Sequence, residues 1–264
     1  MRRLLAALAA LAVAALVFAT PAQAQDARIH LIHGIPDVDV DVAVGGSNVF
    51  EGFSFGDTQD LSSFAGATLE GLQVKAAGTD TVAIDAGDVT LPASGNYTVI
   101  AHLDADGNPT LGVFENNVSS TAAGQGRLTV RHTAAAPAVD ILANGDVAFG
   151  DVPNGAGADV DLPAGTISAS VVPAGASEPV VIGPADLPIT EGANLIVYAV
   201  GSLDGGSLTV LTESIEGLAS APAAVNTGNT PVQDNGLGLV AVAGIAAVAM
   251  AAFVAVPVAA RARR

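Results

Sequence analysis

The sequence predicts an all-β protein built from two tandem sandwiches, exported through one apolar terminus and anchored by the other. Three observations lead there. Short runs of Val, Ile, Leu and Thr alternate with turn residues every 8 to 12 positions, and no stretch between the termini keeps a helical period, which is the pattern of a sandwich rather than of helical layers. Arg28-Ile29-His30-Leu31-Ile32-His33 followed by Pro36-Asp37-Val38-Asp39-Val40 returns, 99 to 101 residues later, as Arg127-Leu128-Thr129-Val130-Arg131-His132 and Pro137-Ala138-Val139-Asp140-Ile141. A repeated unit of this length is one domain-sized module used twice. Each end of the chain carries an uncharged apolar run.

Residues 1–24 begin with Arg2 and Arg3, continue through an apolar run and end on Pro21-Ala22-Gln23-Ala24. Small residues before a cut at Gln25 make this a secretory signal peptide. Repeat 1 occupies 25–117, with strands expected at 29–33, 38–44, 49–55, 69–76, 81–84, 96–103 and 111–115. The turns are carried by Gly45-Gly46-Ser47-Asn48 and by Asp104-Ala105-Asp106-Gly107-Asn108-Pro109, residue types that reach turn dihedrals at little cost. A short linker, 118–126, leads to repeat 2 at 127–216, with strands expected at 128–132, 139–142, 147–149, 166–172, 180–182, 194–200 and 208–211. Asn144-Gly145 marks a tight hairpin there, as that pair favours a two-residue turn. Leu187-Pro188 mirrors Leu91-Pro92. About seven strands per unit is the count of an immunoglobulin-like sandwich.

A polar linker, 217–235, precedes the uncharged run 236–260. As a helix that run would extend roughly 37 Å, enough to cross a hydrocarbon core of about 30 Å. The tail Arg261-Ala262-Arg263-Arg264 then sits in the cytoplasm, and the repeats face outward. The order of linker, span and basic tail is also that of a sortase-processed cell-wall protein, but the linker has no Leu-Pro-x-Thr-Gly. The expectation is a single-pass membrane protein, with the cell wall as the alternative location.

The formal net charge is -17. Five of the nine bases lie at the extreme ends, leaving Arg28, Lys75, Arg127 and Arg131 against all 26 acids. Such a surface repels nucleic acid and anionic lipid headgroups. No cysteine is present, which excludes disulfides and thiolate chemistry. No tryptophan and only two tyrosines occur, too few for a stacking platform.

Asp37, Asp39 and Asp41 alternate with Val38, Val40 and Val42. In a strand the three carboxylates share one face and the valines enter the core. Three carboxylates on one face can hold a calcium ion; the alternative is a solvated face, and repeat 2 keeps only Asp140. No other cofactor is indicated. Asp104-x-Asp106-Gly107-Asn108 reads as a turn, since its Gly comes too early for a calcium loop. His33 and His132 close the first strand of each repeat near Arg28 and Arg127. A His beside an acid can act in proton transfer, but a group repeated in both modules is more simply a structural hydrogen-bonding group. His30 and His102 have no counterpart; Thr129 and Val200 stand in their places.

The paired Arg-φ-x-φ-x-His and Pro-x-Val-Asp-φ elements resemble the DUF4397 family of bacterial exported domains. So do Val147-Ala148-Phe149-Gly150-Asp151-Val152, Leu162-Pro163-Ala164-Gly165-Thr166 and Val171-Val172-Pro173-Ala174-Gly175. Repeat 1 keeps the pattern less closely, with Phe53-Ser54-Phe55-Gly56-Asp57 and no clear Pro-Ala-Gly-Thr. The resemblance implies a β-sandwich module on cell surfaces, often in tandem, with no catalytic residue to carry over. No hydrolase, zinc-protease, phosphate-loop or dinucleotide pattern occurs. The expected function is therefore non-catalytic: binding, adhesion or envelope structure toward a protein or surface ligand. Two alternatives are a ligand-sensing ectodomain acting with a membrane partner, and a hydrolase whose carboxylate site follows no motif.

Overall fold

The computed structural model describes residues 27–220; the predicted signal peptide, span and basic tail, and nearly all of the polar linker before the span, lie outside them. Among the described residues no helix is long and apolar enough to cross a membrane. The described chain is all β apart from one 3-10 turn at Ser62–Phe64. Sixteen strands form four sheets of four.

In repeat 1 the strands are β1 (Arg28–His33), β2 (Val40–Val44), β3 (Ser47–Phe53), β4 (Thr58–Asp60), β5 (Thr68–Ala76), β6 (Val82–Thr90), β7 (Asn96–Leu103) and β8 (Pro109–Glu115). One sheet runs β4-β1-β7-β8 and the other β3-β2-β5-β6. Repeat 2 contributes β9 (Gln125–His132), β10 (Val139–Ala143), β11 (Asp146–Val152), β12 (Ala156–Pro163), β13 (Gly165–Pro173), β14 (Ile182–Ile189), β15 (Asn194–Val200) and β16 (Thr209–Ile215). It repeats both orders strand for strand, as β12-β9-β15-β16 and β11-β10-β13-β14. In each repeat the first strand pairs parallel with the seventh, Arg28 opposite Asn96 and Arg127 opposite Asn194.

This order corrects the immunoglobulin-like expectation. There the first two strands share a sheet and the strands number seven; here β1 and β2 lie in different sheets and each repeat has eight. The physical reason is the length of the connection: residues 34–39 and 133–138 carry the chain across each sandwich instead of folding it back beside the first strand. In repeat 1 Asp37 takes a left-handed φ of 62° in that connection, and the strand expected at 38–44 begins only at Val40. The additional strand is the fourth, β4 or β12. Leu91 also finds a different partner from the one the Leu-Pro pairs suggest. The register Gly165 opposite Ile189 makes Ile189 its counterpart, and each is 3 % exposed.

The sheets stack in four layers with three apolar fillings. Ile29, Leu31, Val99 and Ala101 face the core of repeat 1, with Val40, Val42, Leu72 and Val74 opposite. Leu128 and Val130 face Val139, Ile141 and Ile167 in repeat 2. The other face of the inner sheets carries Ile32 and Ile100 from repeat 1 and Ile196, Tyr198 and Val200 from repeat 2, all buried together. Strands β1, β7, β9 and β15 are thus covered on both faces. Their backbone polar groups are satisfied within the sheet, as burial on both faces requires.

Candidate functional site

The three aspartates do not share a face. Asp37 and Asp39 are exposed in the turn before β2, whereas Asp41 is 4 % exposed. Its two oxygens accept the backbone N–H of Gly52 at 2.8 Å and of Gly78 at 2.9 Å, with the Asn48 amide at 3.4 Å. These donors hold its carboxyl below the usual range. Asp140 does the same work in repeat 2, accepting from Asp151 N at 2.7 Å and Gly175 N at 2.9 Å. The alternating pattern therefore marks a loop clamp rather than an ion-holding strand. Among the described residues no group of three His, Asp or Glu side chains is placed to hold a metal ion. Asp104 accepts from the N–H groups of Asp106 and Asn108 and closes its own turn.

The repeated histidines are buried. The Nε2–H of His33 donates to Val38 O at 2.8 Å, and that of His132 to Pro137 O at 3.0 Å. Each Nδ1 is buried without a partner. Burial holds both imidazoles neutral, so each fixes the turn after its strand. The repeated arginines part company. Arg127 is 4 % exposed and forks onto Asp161 at 2.7 and 3.0 Å, while its third nitrogen donates to the carbonyls of Asn117 and Ser119. Arg28, its counterpart, is exposed.

Between the repeats lies a polar cluster. Glu213 accepts from His30 Nδ1 at 2.7 Å and Thr98 Oγ1 at 2.9 Å in repeat 1, and from the Tyr198 hydroxyl at 3.0 Å in repeat 2. Arg131 donates to Glu115 O and Asn116 Oδ1 and lies 4.5 Å from the centre of the Phe114 ring. Burial pushes the Tyr198 hydroxyl up and the Arg131 guanidinium down from their ordinary values. Glu213 and Arg131 thus each bond from repeat 2 to repeat 1.

The feature no residue pattern pointed to is a cavity of about 300 Å³ inside repeat 1, lined throughout by Leu, Val, Phe and Ala. The matching space in repeat 2 is about 50 Å³. The difference lies in the fourth strand. β12 pairs with β9 over its whole length, from Ala156 opposite His132 to Pro163 opposite Gln125, and presents Ala156, Ala158, Val160 and Leu162 to the core. β4 pairs with β1 over three residues only. After it the wall of repeat 1 is made by Leu61 and Phe64 around the 3-10 turn. Protein interiors tolerate few voids larger than a water. At roughly 24 cal/mol per Å³, a void of this size left empty costs several kcal/mol, comparable to a domain's whole stability. One signal for it was legible: Ala158, Val160 and Leu162 alternate with polar residues in repeat 2, and no such run follows Asp57 in repeat 1.

The chain belongs to the DUF4397 family, described as a domain of unknown function, which it matches over residues 27–142 and 133–231. These regions are two tandem copies of the family's domain. No curated protein matches the chain.

Proposed function

We propose that this is a non-catalytic binding protein of the cell envelope, exported by residues 1–24, held in the membrane by 236–260, and presenting the double sandwich outward. The observation that carries the reading is the seam. An apolar layer with Glu213 at its margin joins the repeats into one block, suited to displaying loops and a core cavity. The titratable groups buried in the block each have a structural partner, which supports a binding role over catalysis. Adhesion or envelope structure is the first form of that role. The cavity favours a second, a ligand-sensing ectodomain that works with a membrane partner.

The test is protease treatment of intact cells followed by mass spectrometry of what is released. The expected result is a fragment that begins near Gln25 and ends in the linker before 236, with the remainder in the membrane fraction. Full-length protein that keeps Met1 and survives protease unless the cells are lysed would overturn the reading.

A further inference from the structure

The core of repeat 1 is built to take something in. Its cavity is bounded by Val42, Leu72, Val74 and Leu111 and reaches the surface at two edges. Val49 on β3 and Phe64 beside β4 are 49 % and 44 % exposed on one side; Val113 on β8 is 52 % exposed on the other. Exposed apolar side chains that continue an apolar cavity form a mouth, unlike scattered surface residues. A cavity with such walls does not hold water, because a water needs polar partners, whereas apolar guests enter even smaller ones.

We propose that this cavity binds one unbranched hydrocarbon chain of about ten carbons, whose head is uncharged or cationic and stays at the mouth. The length follows from the volume: 300 Å³ holds about ten groups of methylene or water size at roughly 30 Å³ each. The single chain follows from the setting, a gap between two sheets about 10 Å apart, flat and narrow. The placing of the head follows from the lining, which offers no hydrogen bond to a buried polar group, so that group must remain in water. Its charge follows from the surface of repeat 1, where acids far outnumber Arg28 and Lys75 and repel a carboxylate or phosphate. The inference stands on the cavity alone and does not depend on where the protein is held.

The test uses the full chain in phosphatidylcholine nanodiscs, exposed to dodecanol bearing a mid-chain diazirine, irradiated, digested and mapped by mass spectrometry. Adducts are expected on the peptides of β5 and β8 and not on β13, the counterpart of β5 in filled repeat 2. Ala101→Leu and, separately, Val44→Phe narrow the cavity and should each lower the β5 and β8 adducts at least tenfold with an unchanged circular dichroism spectrum. Excess unlabelled dodecanol should do the same in the parent protein, which keeps the test decisive if a variant fails to fold. Equal labelling of β5 and β13, or β5 adducts that neither filling nor competition removes, would overturn the proposal. The corresponding diazirine dodecanoic acid should label several-fold less; equal labelling by the acid would overturn the assignment of the head.

Discussion

The hydroxyl of Tyr198 donates to Glu213 Oε2 at 3.0 Å, and the same oxygen accepts Thr98 Oγ1 of the other repeat at 2.9 Å. One carboxylate oxygen therefore joins two sandwiches about a hundred residues apart in the chain. Tyr198 is fully buried, so its hydroxyl has no water to turn to if Glu213 is lost.

Tyr198→Phe should cost about 1–2 kcal/mol and Glu213→Ala about 2–3 kcal/mol, because the second removes the acceptor to which both hydroxyls donate. For a domain pair of this size each kcal/mol lowers the melting temperature by about 2–4 °C. Thermal unfolding of both variants checks this; a Glu213→Ala protein as stable as the parent would mean that the seam is held by its apolar layer alone.

Asp41 and Asp140 each clamp two loops through backbone N–H groups. Asp41→Asn and Asp140→Asn should lower the melting temperature, and Asp39→Ala should not. Millimolar calcium should leave the parent's melting curve where it is. A calcium-induced rise that disappears in Asp39→Ala would restore an ion site. Because both carboxyls are held below their ordinary 3.8, their stabilisation is present above that pH and is lost as the pH falls through the folded values.

Asp151 stands at a left-handed φ of 53° where repeat 1 has Gly52 at 63°. Left-handed backbone costs a residue with a Cβ about 1 kcal/mol. Asp151→Gly should therefore raise the melting temperature by a few degrees, since the N–H that serves Asp140 is kept; a drop would show that the side chain contributes more than the backbone strain removes.

His33, His102 and His132 are held neutral by burial, below their ordinary 6.5. The unfolded chain takes up these protons near pH 6.5 and the folded chain only at lower pH. Stability should thus be level above pH 7 and fall as the pH drops below 6.5, by up to about 1.4 kcal/mol per pH unit for each imidazole. Urea unfolding at pH 7.5, 6.5 and 5.5 measures it; equal midpoints at all three would show that the histidines are protonated inside the fold.

Arg127 ties the connection between repeats to β12 through Asp161 and to Asn117 and Ser119. Arg127→Lys loses the fork and should cost about 2 kcal/mol, whereas Arg28→Lys on the exposed counterpart should cost nothing measurable. Equal effects at the two sites would contradict the geometry.

Much of the fold is legible in the sequence. The hundred-residue repeat, the placing of 96–103 and 194–200 as strands, and the Asn144-Gly145 hairpin follow from local chemistry: alternation sets strand faces, and turn residues set their ends. The sheet order was not legible, because parallel pairing of β1 with β7 joins residues about seventy apart and leaves no local mark. Nor was the role of the aspartates. The same Asp-Val alternation fits a solvated strand and a loop clamp, and only the approach of Gly52 and Gly78 decides between them.

By itself, then, the sequence determined two all-β repeats of one family, an acidic middle and apolar ends, since composition and periodicity act residue by residue. The tertiary structure alone decided that the inner sheets meet and are buried on both faces, and that Glu213 and Tyr198 belong to one seam. It alone decided too that repeat 1 is hollow where repeat 2 is filled. The last depends on whether the fourth strand runs three residues or eight along its neighbour. Strand length is set by pairing across the sheet, a contact between distant segments that a linear chain does not display.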